Sequence, residues 1–193
     1  VETKGISMNE NSSQSGFTLI ELLIVITLVA VLAAFSSSFS FLITRSAAQS
    51  SQMELIGFIN TARTTAIMES TNVTLCPINT ENGKCSSDWS RDIIAFRDPN
   101  RSRQLVDIKQ IVRTLQPNSN GVFYGNAGIR KYFGFRATGI AKEAIGNIIW
   151  CPQDKSAENA FQIRINMGGR PRVAQDNDGD GVVENSQGNP ISC

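Results

Sequence analysis

The hydrophobic pattern of the chain changes character three times. Residues 1–16 are polar and lack an apolar run. From Phe17 to Ile43 the sequence reads FTLIELLIVITLVAVLAAFSSSFSFLI, and Glu21 is its one charge. At a helical rise of ~1.5 Å per residue this run reaches roughly 40 Å, enough to cross a bilayer. Beyond it, Ala47, Ala48, Met53, Leu55, Ile56, Phe58, Ile59, Ala62, Ala66 and Ile67 recur at three- and four-residue spacing, with Gln49, Gln52, Glu54, Asn60, Arg63 and Glu69 on much of the other face. The spacing predicts that the helix continues until Ser70-Thr71-Asn72 ends it.

From Val73 the pattern is that of strands. Short apolar or alternating runs occupy Val73–Cys76, Asp92–Arg97, Ile108–Leu115, Gly121–Tyr124, Tyr132–Phe135, Ile145–Cys151 and Ala160–Ile165. Runs of this length predict an antiparallel sheet packed on the helix, an α+β fold. The organisation expected is a segment 1–16, a helix 17–70 whose half 17–43 is apolar, and a β-rich domain 71–193.

Composition narrows the chemistry. The 193 residues carry a net charge of +1 and no histidine. Any nucleic-acid contact must therefore come from a local patch, and the commonest general base and metal ligand is missing. No nucleophile elbow or phosphate loop is present either, so an enzyme is not expected. The four cysteines, Cys76, Cys85, Cys151 and Cys193, all follow the apolar run. An even count on one side of a membrane segment reads as two disulfides in an oxidising compartment such as the bacterial periplasm. Of the three connectivities, Cys76–Cys85 with Cys151–Cys193 is preferred. The first closes a short loop through Asn82-Gly83, and the second pins the last residue to the domain.

Glu21 is the first candidate for function, because a carboxylate near the start of a membrane helix costs several kcal/mol without a partner. A cut between Gly16 and Phe17 would leave a free amine one turn away, on the same chain or a neighbouring copy. The plainer alternative is a signal-anchor helix with a stray Glu near its edge.

Gly16-Phe17-Thr18-Leu19-Ile20-Glu21-Leu22 resembles the class III signal sequence of type IV pilins and type II secretion pseudopilins. The resemblance implies that a prepilin peptidase cuts after Gly16, that the new N-terminal Phe17 is methylated, and that Glu21 aids assembly with other major and minor pilins or pseudopilins. It implies a single-pass inner-membrane protein with its head in the periplasm, destined for a pilus or pseudopilus, and one long helix half in lipid and half under the head. Members often carry Pro about where Ser38 stands. Here Ser36-Ser37-Ser38 occupies that stretch, so a Pro-linked helix break is not carried over.

Val73-Thr74-Leu75-Cys76-Pro77, Trp89 with Ile94-Ala95-Phe96-Arg97-Asp98, and Trp150-Cys151-Pro152 follow one another in the order of the FimT/GspH family of minor pilins and pseudopilins. Gly169-Arg170-Pro171-Arg172 resembles the GRxR motif of the FimT branch.

Two stretches near the C-terminus carry candidate chemistry. In Gly168-Gly169-Arg170-Pro171-Arg172, glycines permit close backbone approach, and guanidinium groups at i and i+2 of an extended segment point the same way. Arg164 lies at even spacing from both and extends the patch. The resemblance implies that Gly169, Arg170 and Arg172 bind double-stranded DNA in natural transformation. The alternatives are a solvated hairpin turn, or a GspH-type pseudopilin of type II secretion with no DNA role. The second stretch, Asp176-Asn177-Asp178-Gly179-Asp180-Gly181-Val182-Val183-Glu184, has the front half of an EF-hand-like calcium loop. Gln187 stands where that loop needs a bidentate Glu, so Glu184 is the expected substitute beside Asp176, Asp178 and Asp180. No cofactor is required, and Ca2+ is the one ion expected. The bland alternative is an acidic loop that caps the arginines by charge balance, which would weaken DNA binding unless calcium neutralises it. Arg97, Arg101 and Arg103 form a second basic cluster, read as a solvated loop, and Trp89 and Trp150 are expected in the core.

Overall fold

The computed structural model describes residues 16–117, 120–141 and 145–193, with 35–41 described by backbone alone. Of the expected leader, only Gly16 falls among them. The chain divides into two compact units, 1–41 and 42–193. The division falls inside a helix, close to the end of the apolar run at Ile43.

That helix, α1, spans Leu19–Met68 and runs without interruption through Ser36-Ser37-Ser38. Its start is set by Thr18, whose hydroxyl accepts the Glu21 N–H at 3.3 Å while its carbonyl accepts the Leu22 N–H at 3.2 Å. Its end is set by Ser70, which takes a left-handed φ of 50°, with the Thr71 N–H closing back on the Ala66 carbonyl at 3.1 Å. In the first unit the apolar side chains from Leu19 to Leu32 are exposed. Among the described residues no helix is long and apolar enough to cross a membrane. The expected span 17–43 passes through 35–41, whose side chains lie outside the described residues.

In the second unit the buried stripe of α1 is Ser51, Leu55, Phe58, Ile59, Ala62 and Ala66. Met53 and Ile67, expected on that stripe, are exposed. Met53 stands two residues before Leu55, about 200° around the helix, and so faces outward. Fully burying side chains such as Leu55 and Phe58 contributes roughly 1.5–3 kcal/mol each.

Among the described residues eight strands follow, in two four-stranded antiparallel sheets. The first sheet holds β1 (Val73–Pro77), β2 (Ile93–Arg97), β3 (Ile111–Leu115) and β5 (Phe133–Phe135), in the order β3-β2-β1-β5. The second holds β4 (Gly121–Asn126), β6 (Gly146–Pro152), β7 (Phe161–Ile165) and β8 (Pro171–Val173), in the order β4-β6-β7-β8. The stretch expected as one strand from Ile108 begins instead with a 3-10 turn, Ile108–Gln110. Asp107 caps that turn by accepting the Lys109 N–H, and the Gln110 side chain closes the box on the Asp107 N–H. One contiguous buried cluster joins Leu55, Phe58 and Ala62 of α1 to Leu75 and Phe133 of the first sheet and Ile148, Trp150 and Ile163 of the second. Trp89 and Trp150 both belong to it, Trp89 edge-on to Phe133 and Trp150 stacked on Phe161.

Both disulfides have the preferred connectivity. Cys76 and Cys85 bridge at a Cα separation of 5.5 Å, and Cys151 and Cys193 at 5.6 Å. The second encloses β7, β8 and the acidic loop. Closing a loop of 42 residues stabilises by roughly 4 kcal/mol on the chain-entropy model.

Candidate functional site

Three places collect the residues singled out above. At the start of α1, Gly16, Phe17 and Glu21 are all exposed. Glu21 occupies the third position of the helix, where a negative charge also meets the positive end of the helix dipole. Around it, Leu19, Ile20, Leu22, Leu23, Ile24 and Val25 cover every direction of the helix.

The second place is the β7–β8 hairpin. Its strands pair Ile163 with Val173, Arg164 with Arg172 and Ile165 with Pro171. Directly opposed residues project from the same face of a sheet, so Arg164 and Arg172 are neighbours. The Ala174 N–H bonds the Gln162 carbonyl at 2.8 Å. By the alternation of an antiparallel ladder, Arg164–Arg172 is then also a hydrogen-bonded pair, and Ile165–Pro171 is not. The N–H that Pro171 lacks would point away from β7, so the ladder loses nothing by it. Arg164 is half-buried and donates through one terminal nitrogen to the Glu184 backbone carbonyl at 2.8 Å. Arg172 is exposed, and its guanidinium meets no acceptor among the described residues. A surface groove of about 660 Å³ runs past both arginines and is otherwise lined by Asn166, Val173, Gln175 and Asn177.

Arg170 is exposed but does not line this groove. It follows the turn that Asn166 closes, by accepting the Gly169 N–H on its carbonyl and the Arg170 N–H on its side chain. Gly169 has a packing duty. It is buried at φ 72°, and a Cβ there would stand 2.3 Å from the Gly139 carbonyl oxygen. That same oxygen accepts the Arg63 Nε–H at 3.1 Å. The glycine reserved in the sequence for ligand approach is spent on holding the turn against residue 139. The structure thus brings Arg164 and Arg172 together, leaves Arg170 beside them, and removes Gly169 from the surface. Asn166, Gln175 and Asn177 were missed, since amides flanking a short motif carry no signal of their own.

The third place is the acidic loop. The carboxylates of Asp176, Asp178, Asp180 and Glu184 converge, each offering an oxygen within 4.8 Å of the others. None forms an ion pair with a described residue, so the alternative in which these carboxylates cap the arginines is not seen, and the loop meets Arg164 only through the Glu184 backbone carbonyl. The second basic cluster is also spoken for. Arg97 forms a bidentate pair with Glu69, and Arg103 stacks over Tyr132 at 4.8 Å.

Residues 51–169, more than half of the chain, match the family of the type II transport protein GspH. The chain belongs to the GspH family. Residues 11–37 of this GspH-family chain match the prokaryotic N-terminal methylation motif, a stretch that includes Gly16, Phe17 and Glu21. In structure it is similar to the type IV minor pilin FimU of Pseudomonas aeruginosa in two crystal forms. One has a TM-score of 0.53 at 16% identity, covering 77% of this chain and 96% of that one. The other has a TM-score of 0.51 at 16% identity, covering 75% and 98%. At that identity the likeness is one of fold. No curated protein sequence matches the chain. Family, motif and fold together make it a subunit of the minor-pilin and pseudopilin kind.

Proposed function

We propose that the chain is a minor subunit of a type IV filament, anchored once in the inner membrane with its head in the periplasm. A prepilin peptidase removes residues 1–16, the new Phe17 amine is methylated, and Glu21 pairs with such an amine, its own or that of a neighbouring subunit, as the chain enters the filament. The carrying observation is the exposed apolar surface from Leu19 to Leu32, broken only by Glu21 and Thr27. A helix that is apolar all round needs lipid or other apolar helices as its surroundings. There an unpaired carboxylate is costly, and an amine at the helix start has the charge to offset it. The role is structural: the chain has no histidine, and all four cysteines are in disulfides. Glu21→Ala is expected to be cleaved normally, seen as the loss of residues 1–16, and to be missing from sheared filaments. Normal incorporation of that variant would refute the mechanism.

A second reading adds a ligand to this role. The Arg164–Arg172 pair with Arg170 beside it contacts phosphates of double-stranded DNA, as a DNA-capturing pilin of natural transformation would require. Like charges directly opposed across a ladder destabilise it, and an anion laid between them offsets that repulsion. The rival reading keeps the architecture and changes the machine to type II secretion, without DNA, and the description of the matched family favours it. Titrating full-length protein in detergent with duplex DNA at two salt concentrations separates them. Failure to bind at low salt would discard the DNA reading.

A further inference from the structure

We infer that Asp176, Asp178, Asp180 and Glu184 bind one calcium ion. Convergent carboxylates alone would not carry this, because exposed acidic groups often cluster without an ion. Glu184 makes the difference. It is only 4% exposed, its Oε2 accepts the Asn177 backbone N–H at 2.9 Å and the Asn177 side-chain amide at 2.6 Å, and its Oε1 is buried with no hydrogen-bond partner. A buried carboxylate oxygen ordinarily has a donor or a cation. This one is held beside three aspartates, in a loop whose ends are fixed by the Glu184 N–H bonding to the Gln175 carbonyl.

The charges agree. Four carboxylates face one another, and none is paired with a lysine or arginine of the described residues. The Asp178 carboxyl accepts the Asp180 N–H at 3.2 Å. Asp176 accepts the Gly179 N–H at 2.7 Å and the Gly181 N–H at 2.9 Å. Each of its oxygens accepts one amide, which leaves a lone pair on each for a cation. Gly181 turns the loop at φ 90°, a conformation closed to most side chains.

The ligand set selects the ion. It is all oxygen, in a chain without histidine and without a free thiol, so a hard cation fits and zinc or copper does not. Ligand oxygens up to 4.8 Å apart suit a sphere of about 2.3–2.6 Å radius, that of calcium, while magnesium at about 2.0–2.1 Å would require the loop to contract. Loops of this kind in extracellular modules bind calcium at roughly 10⁻⁴–10⁻³ M, so an affinity in that range is expected. The inference is independent of both DNA and filament assembly.

The test is a calorimetric titration of chelator-stripped, full-length protein in detergent with CaCl2 and with MgCl2, alongside thermal unfolding. One calcium per chain should bind saturably, magnesium on the order of tenfold more weakly, and calcium should raise Tm. Glu184→Gln and Asp178→Asn should each weaken calcium binding on the order of tenfold or more. Asp178 is exposed, so its variant decides the matter if Glu184→Gln does not fold. Absence of saturable calcium binding, equal affinity for magnesium, or calcium binding by a folded Asp178→Asn at wild-type strength would overturn the inference.

Discussion

Arg164 faces Arg172 across the β7–β8 ladder, and neither is paired with a carboxylate of a described residue. Even spacing along one strand brought Arg164 into the patch in the sequence, but the contact is made across strands. Arg164 is fixed by the Glu184 carbonyl, whereas Arg172 is loose. The two therefore form a pre-positioned cation beside an adaptable one.

Arg172→Ala should weaken duplex DNA binding, and lower the slope of log affinity against log salt by about 1. Arg170→Ala should do less, because Arg170 lies outside the groove. Both side chains are exposed, so unfolding free energies should stay within about 0.5 kcal/mol of wild type. Fluorescence anisotropy between about 50 and 200 mM salt measures the slope. Equal effects of the two substitutions would show that the groove is not the contact surface.

The groove and the acidic loop share Asn177, which lines one and holds Glu184 in the other. Four negative charges next to this groove would repel a DNA phosphate within a Debye length of about 10 Å. Calcium should therefore tighten DNA binding relative to chelator in the wild type, and Asp178→Asn should need on the order of tenfold more calcium for the same effect. Identical affinities in calcium and chelator for the wild type would disconnect the two sites.

Away from both, Asp98 organises the turn after β2. It is 2% exposed, and its carboxylate accepts the Thr74 hydroxyl, the Ser102 N–H and hydroxyl, and the Arg103 N–H, at 2.7 to 3.0 Å. Asp98→Ala strands the buried Thr74 hydroxyl and releases two backbone amides, so a loss of about 3 kcal/mol is expected in urea unfolding. A loss below 1 kcal/mol would mean that water replaces the carboxylate without cost.

These elements also show what was readable in advance. β1 and β2 are recognisable because their apolar runs sit in the interior of a sheet, where every residue type agrees with burial. β8 is three residues long, begins with Pro and has two exposed positions, so nothing local marks it as a strand. Only its pairing with β7 makes it one. The 3-10 turn at Ile108 was legible, since Asp107 and Gln110 spell a capping box, but the isoleucines invited a strand. For the sites, the residue types were readable and the partners were not. No pattern tells that Gly169 meets the Gly139 carbonyl, or that Glu184 turns inward while Asp178 stays exposed.

At the end of α1, Glu69 accepts both Arg97 hydrogen bonds, and this holds its carboxyl below the usual glutamate range. A depressed folded-state pKa contributes stability above the unfolded value, and that contribution is lost as pH falls through the folded one. Stability should therefore decline with acid below glutamate's ordinary pKa of about 4.3, and Glu69→Gln should flatten that part of the profile. The pair is exposed, so the change is expected to be small. A Glu69→Gln profile superimposable on wild type in acid would show that the pair contributes nothing.

Pro171 has a consequence beyond its own hairpin. β8 is the outer strand of its sheet, and the side of Pro171 turned away from β7 is where an incoming strand would look for a donor. It finds none, and it meets Arg170 and Arg172 on either side. Pro171 therefore makes this rim a poor template for an added strand. The N–H that β8 still turns outward is that of Val173, beside two exposed arginines.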